Sequence, residues 1–265
     1  MRRLLNPLTL LSVLVLAVTL IAVIWPGLIS PYDPFDSVGD ARLEPPSWEH
    51  LFGTDALARD VFSRVVYGAR LSLMAAVLAT VAGAVLGGLI GLISGTAGGR
   101  LDFVLMRFVD VMLAIPGILL ALIVVASLGF GAVSIAIGVG LGATGSFARV
   151  MRAQVMRVRH EEYIEAARTM GLRRPTILLR HVLPNASQPI VAMASTELAL
   201  AILAVSALSF LGFGAQPPTP EWGSLVSDGR QFIATAPWLS IMPGAVILVV
   251  VLAVNGLARE LGGNR

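Results

Sequence analysis

Five apolar runs cross this sequence with a single charged side chain, Glu197, inside them: Leu8–Ile29, Leu71–Ile93, Val111–Leu128, Pro189–Phe213 and Pro237–Ala258. A sixth run, Gly131–Ala148, is uncharged but rich in glycine and the weakest of the set. Crossing a hydrocarbon core of ~30 Å takes ~20 apolar residues in a helix, and these runs are of that order. In lipid a backbone must satisfy its own N–H and C=O groups, which leaves helices or closed barrels. The runs lack the ~10-residue alternation of barrel strands. The fold class that follows is all-α, a polytopic membrane protein with six transmembrane helices, or five if Gly131–Ala148 only dips into the bilayer. Composition agrees: 56% of the residues are hydrophobic, 13% are charged, and the mean hydropathy is +0.84. A soluble domain carries about 25% charged residues. A lipid bilayer is therefore the first partner expected.

Every non-histidine basic side chain is arginine; the sequence has no lysine. The arginines lie between the runs, so the formal charge of +3 gives no sign of a nucleic-acid partner. Arginine between spans sets orientation. The short basic end with Arg2 and Arg3 is expected in the cytoplasm. Alternation then puts Ser30–Arg70 outside, Gly95–Arg107 inside, a Gly129–Gly131 turn outside, Arg149–Asn185 inside, Gly214–Ala236 outside and the C-terminus inside. Arg149–Asn185 holds Arg149, Arg152, Arg157, Arg159, Arg168, Arg173, Arg174 and Arg180, the densest cluster in the chain, on the side the rule requires. The outer Ser30–Arg70 segment carries more acid than base and is stiffened by prolines 31, 34, 45 and 46; it reads equally as a pathway entrance and as a plain connector. Behind Met1–Arg2–Arg3, Ile24-Trp-Pro-Gly27 stands where a small-residue cleavage site would, so the first run is expected to remain as a helix. The localisation expected is a multi-pass inner membrane protein with both termini cytoplasmic.

Cysteine is absent, which removes disulfides, thiol nucleophiles and thiolate metal sites. His50, His160 and His181 show no metal-ligand spacing, so no metal is expected in this chain. A P-loop needs a lysine behind its glycines to reach the phosphates, so the chain is not itself an ATPase and no cofactor of its own is expected.

Within the runs, Ala79, Gly83, Gly87, Gly91 and Gly95 repeat every fourth residue and predict close packing of a neighbouring backbone, within the bundle or against another subunit. Pro116 predicts a kink or an open carbonyl. Gly138, Gly140, Gly142 and Gly145 predict a thin, flexible fourth span. Charges inside a membrane are costly and stand as functional candidates. Arg107 and Asp110 are spaced to pair on one helix face. Glu197, inside the fifth run, reads as a hydrogen-bonded helix contact or as a pathway group. Arg107, Asp110, Pro116, Glu197 and the Trp222 of a proline-rich outer loop are the candidate pathway or gating residues.

Between the fourth and fifth runs, Tyr163, Ala166, Ala167 and Met170 fall on one face of a short helix. Glu161, Glu162 and Glu165 suit its positive N-terminal end. Gly171 is placed as its C′ residue, and Pro175 forbids continuation. Such a helix on the cytoplasmic face suits a groove in a soluble partner. The other reading is a helix resting on lipid headgroups, for which basic rather than acidic polar faces are usual.

Glu165-Ala-Ala167, Gly171 and the later Leu183-Pro184 resemble the EAA loop of binding-protein-dependent ABC importer permeases. Gly53-Thr-Asp-Ala-Leu-Ala-Arg-Asp60, Met106-Arg-Phe-Val-Asp110 with Ala114-Ile-Pro116, Leu208-Ser-Phe-Leu-Gly212, Gln216-Pro-Pro-Thr-Pro-Glu-Trp-Gly223 and Pro237-Trp238 follow in the family's order. The set resembles the C-type permease of the dipeptide/oligopeptide/nickel subfamily over residues 50–256 or so. Ala58 departs from the family's usual glycine, Val205 from a glutamate found in many members, and the stretch after Asn255 from the usual ending.

The resemblance implies a type I importer fold. Residues 1–67 would form a first helix and outer segment, 68–260 the permease domain with its coupling loop at 149–185, and 261–265 a short tail. It implies an ATPase-coupling element made of Tyr163, Glu165, Ala166, Ala167, Met170, Gly171, Leu183 and Pro184. It also implies a homologous second permease, one or two ABC ATPase subunits that bind ATP and Mg, and an extracytoplasmic solute-binding protein. The cargo, among dipeptides, oligopeptides, glutathione, nickel complexes and haem, is left open. A secondary transporter or a channel is the competing reading; the first would call for internal repeats, and none stands out.

Overall fold

The computed structural model describes residues 7–262. Arg2, Arg3 and residues 263–265 of the expected tail lie outside the described residues. The helices are α1 (Pro7–Ile24), α2 (Val61–Ala97), α3 (Gly99–Ala114), α4 (Gly117–Leu128), α5 (Ala132–Val158), α6 (Glu162–Thr169), α7 (Arg174–Ile177), α8 (Leu183–Phe210), α9 (Trp222–Gly229) and α10 (Trp238–Gly262). A π-helical turn, Leu178–Val182, joins α7 to α8. Among the described residues five helices are long and apolar enough to cross a membrane, or six if the bent pair of α3 and α4 counts as one span.

The axis of the bundle is the pair α2 and α5. A Cβ on Gly83 would lie 2.9 Å from the Gly140 carbonyl oxygen, one on Gly140 2.8 Å from that of Ala79, and one on Gly95 2.8 Å from Val155. Added Cβ atoms on Gly87 and Gly91 would overlap the backbones of Thr144 and Ala148. Contacts that advance together along both helices mean that the two run parallel. The four-residue stripe of small residues thus serves packing inside the chain. Lipid gives helices no hydrophobic reason to associate, so close van der Waals approach has to hold them.

The same contacts correct the reading of the fourth span. Gly138 and Gly142 approach α4, Gly145 approaches Leu113, and α5 is an unbroken helix of 27 residues. Its glycines make room for neighbours on several sides and do not loosen it. The irregular span is the third. Ile115 is extended (φ −89°, ψ 125°) because a residue before proline is driven out of the helical region. The chain turns by 92° there. At ~1.5 Å per residue, neither α3 (16 residues) nor α4 (12 residues) spans ~30 Å alone.

The expected outer segment Ser30–Arg70 is helical from Val61 onward. Asp60 caps α2: its carboxylate accepts the Ser63 amide and hydroxyl, both at 2.7 Å, and meets His50 Nδ1 at 3.0 Å. All of Val61–Arg70 is therefore helical. Ala58, where the resembled family has glycine, sits at φ +58°, a left-handed conformation that glycine adopts without steric cost. Asp55 closes this loop by accepting the Leu57 and Arg59 amides and pairing with the Arg59 guanidinium at 2.7 Å. The fifth span also starts early, at Leu183, since the π-turn carries the helix through from α7 and Pro189 is accommodated inside it.

Two apolar cores result. One joins α1, the first half of α2, α4, the start of α5, the second half of α8, α9 and α10. The other gathers Phe147, Met151, Val155 and Val158 of α5 with Ile164 and Ala167 of α6, Ile177 and Val182. Thr9 donates to Glu260 at 3.3 Å, so the start of α1 and the end of α10 share one end of the bundle.

At the Asp60 end, Trp222 is buried to 1% exposure. Its Nε1 donates to the Val65 carbonyl at 2.9 Å and its amide to the Ser72 hydroxyl at 3.0 Å. The buried Glu221 beside it accepts the Ala215 amide at 3.2 Å through Oε2, while Oε1 has no hydrogen-bond partner. Burial pushes the Glu221 carboxyl above its ordinary value, opposed by the Ser209 hydroxyl and the Ala215 amide. A Cβ on Gly214 would strike both Glu221 and Ser209.

Two outcomes are expected. Gly87→Ala overpacks the α2–α5 contact at a cost of about 1–3 kcal/mol. Gly88→Ala, whose Cβ meets nothing within 4 Å, costs nothing or gains up to about 1 kcal/mol of helix propensity. Thermal unfolding of the detergent-solubilised variants separates them. Second, the folded state holds the Glu221 proton more tightly than the unfolded chain. The contribution is therefore complete below about 4.5, the unfolded value, and is lost as pH rises through the raised folded value. Thermal stability should fall across that window in the wild type and fall less in Glu221→Gln, as measured by melting against pH.

Candidate functional site

α6 is amphipathic in a sense the sequence only partly shows. Ile164 and Ala167 are 0% and 3% exposed and pack into the second core. Tyr163 (44%) and Met170 (72%) are exposed, as are Glu165 and Ala166 between them. Ala167 is therefore corrected from the outward face to the seat of the helix. At 100° per residue, an element whose inner face is Ile164 and Ala167 must turn Tyr163, Ala166 and Met170 away. Ile164, the one branched aliphatic residue of the helix, set between Tyr163 and Glu165, is the signal that could have identified the seat.

The helix ends as expected. Gly171 is at φ +80°, its amide donates to the Arg168 carbonyl at 3.0 Å, and the Leu172 amide reaches back to the Ala167 carbonyl at 3.2 Å. That is a Schellman motif with glycine at C′. Glu162 and Glu165 lie in the first turn. Leu183 is half-buried against the second core and Pro184 is exposed, both in the first turn of α8.

Arginines bolt this end of the bundle together. Arg152 makes a two-pronged pair with Asp102 (2.6 and 2.7 Å), and the Ser94 hydroxyl donates to the same carboxylate. Arg159 donates to the carbonyls of Gly95 and Thr96 at the end of α2. Planar pairing of guanidinium with carboxylate is among the stronger side-chain contacts. Arg157, Arg168, Arg173, Arg174 and Arg180 remain exposed around α6.

Asp110 pairs with Arg149 of α5 at 2.9 Å, not with Arg107. Arg107 instead lies over the Phe103 ring, 5.4 Å from its centre. With the base on the N-terminal side, an i,i+3 pair has the weaker orientation, and a partner on the facing helix takes the acid.

Glu197 and the backbone just past Pro116 meet. A cavity of ≈ 280 Å³ between α2, α4, α5 and α8 is lined by Thr80, Gly117, Gly142, Ser146, Glu197 and Leu200, among others. Ser146 also lines a second cavity of ≈ 370 Å³ together with Leu113 and Arg149. The break at Pro116, the acid at Glu197 and the pair Arg149–Asp110 thus lie along one side of the bundle. Trp222 does not join them; it is a core anchor of the opposite end, because its ring nitrogen finds a buried carbonyl there. Ser146 and Arg149 escaped the sequence reading, since neither stands out from its own helix. Among the described residues no group of three or more His, Asp and Glu is gathered as a metal would need.

The profile of the binding-protein-dependent transport system inner membrane component matches residues 87–262. The dipeptide transport system permease protein DppC of Alkalihalophilus pseudofirmus is 40% identical over 97% of this chain and 84% of its own length. The glutathione transport system permease protein GsiD of Pectobacterium atrosepticum is 39% identical over 89% of this chain and 79% of its own. Among solved structures, the inward-facing MetNI methionine ABC transporter superposes with a TM-score of 0.60 at 18% identity, covering 76% of this chain and 96% of that one. An amino acid ABC transporter with histidines gives 0.59 at 16%, covering 77% and 95%. At such identities these structures speak for the fold alone. On the profile and the relatives together, this chain belongs to the family of binding-protein-dependent transport system inner membrane components, as a DppC-like ABC importer permease and not an enzyme.

Proposed function

We propose that this permease forms, with a homologous second permease, the translocation pathway of an ATP-driven importer for di- or oligopeptides or a closely related solute. An extracytoplasmic binding protein delivers the cargo, and separate ATPase subunits bind ATP and Mg and hydrolyse the nucleotide. Both termini and α6 face the cytoplasm, where the arginine-rich loops belong. One observation carries the coupling: Ile164 and Ala167 seat α6 on the core of α5, leaving Tyr163, Ala166 and Met170 as an outward ridge. A ridge fixed to the axis of the bundle is what a moving groove can push. The names of the relatives support a peptide cargo.

In this mechanism ATP closes the ATPase pair, and α6 carries the motion into α5 and through its glycine contacts into α2. The side holding the Glu197 cavity then opens toward the binding protein, and hydrolysis resets it. A clean swing between the two states needs a differential of about 5.5 kcal/mol, within reach of a nucleotide cycle.

The native sequence has no cysteine, so Ala166→Cys carries the sole thiol of this chain. With its partners present, it is expected to cross-link to the ATPase subunit. The pair Tyr163→Asp and Met170→Asp is expected to cut ATP-driven uptake into proteoliposomes about tenfold or more, with thermal stability unchanged, since exposed sites cost little in folding. Ala167→Glu should lower stability itself, because it buries a charge in the second core. Full uptake by the double aspartate variant, or uptake by this chain alone under an ion gradient, would overturn the reading.

A further inference from the structure

The cavity at Glu197 holds an acidic group that no described residue pairs with. Its walls are otherwise small or apolar, and no basic side chain lines it. The Thr80 hydroxyl is committed to the Ala76 carbonyl at 2.9 Å. Glu197 and Ser146 make no hydrogen bond or ion pair with any described residue. Arg149, which shares the second cavity with Ser146, is already paired with Asp110 at 2.9 Å. A carboxylate held among membrane helices is expensive unless a cation or donors offset it. No residue lining the cavity supplies a cation.

We infer that Glu197 is the subsite for the protonated N-terminal amine of the cargo, with the Ser146 hydroxyl as a second acceptor. The inference rests on the peptide-importer reading above and deepens it. An α-amino group titrates near 7.7–8.0 and is largely cationic at neutral pH. The ≈ 280 Å³ space is at the small end of ligand sites, so it takes the first residue or two and leaves the remainder of a longer peptide outside. A free amine can donate to both oxygens of Glu197 and to Ser146; an acetylated one has lost its charge.

The test uses the complete complex of both permeases and the ATPases in nanodiscs, without binding protein or nucleotide. Equilibrium binding of labelled Ala-Ala and N-acetyl-Ala-Ala is measured at millimolar peptide. The wild type is expected to prefer the free amine. Glu197→Gln is expected to lose about tenfold or more of its Ala-Ala affinity while leaving the acetylated peptide unchanged, and Glu197→Asp to recover part of the preference. A wild-type complex with no preference for the amine overturns the inference, as does a Gln variant that keeps the preference. Loss of the second permease from purified Glu197→Gln complex overturns it too, and assigns the carboxylate to a basic side chain of that neighbour. ATP-driven uptake by the wild-type complex reconstituted into proteoliposomes with its binding protein keeps the importer reading standing in each of these cases; its absence would remove that reading instead.

Discussion

The backbone-to-backbone approach of α2 and α5 is the contact on which the other elements are arranged. It is possible because residues at Ala79, Gly83, Gly87, Gly91 and Gly95 have little or no side chain where Gly140, Thr144, Ala148 and Val155 come close. Helices in lipid gain nothing from hiding apolar surface from one another, so shape has to supply the attraction. At one end of this axis, Asp60 caps α2 and Trp222 pins it to α9. At the other, Arg159 holds the end of α2, and α6 rests on α5 through Ile164 and Ala167. A push on α6 therefore meets a rigid pair of helices and not a loose loop.

Against that axis, the third span is the broken element. Pro116 removes a donor and forces Ile115 to be extended, so α3 and α4 diverge by 92°. The divergence gives the wall on which Gly117 and Glu197 meet in one cavity. The charges nearby divide into two kinds. Arg152–Asp102 and Arg149–Asp110 are matched pairs that join α5 to α3. Glu197 has no such partner among the described residues.

The end that carries Asp60 and Glu221 is built on different chemistry. There buried polar groups crowd together, some partnered and some not. His50, Asp60 and Ser63 satisfy one another, whereas Glu221 keeps one unpartnered oxygen and a raised affinity for its proton. The Asp55-to-Asp60 loop tolerates Ala58 in a left-handed conformation because Asp55 holds the turn from both sides with amide hydrogen bonds.

By itself the sequence determined the solvent, a count of five or six candidate crossings and the position of the short helix with its Gly171 stop. These are local matters: hydrophobic length and the left-handed freedom of one glycine. The motif order likewise carried the family. The tertiary structure alone decided which face of α6 is the seat, moving Ala167 inward and bringing in Ile164, because periodicity marks a stripe without saying what lies beneath it. It reassigned Asp110 from Arg107 to Arg149, since a facing helix offered a better-placed base than the same helix did. It turned the glycines of α5 from a source of flexibility into contact surface, and it took Trp222 out of the pathway group. In each case the missing information was which neighbour occupies the other side, a distance between residues far apart in the chain that no local pattern encodes.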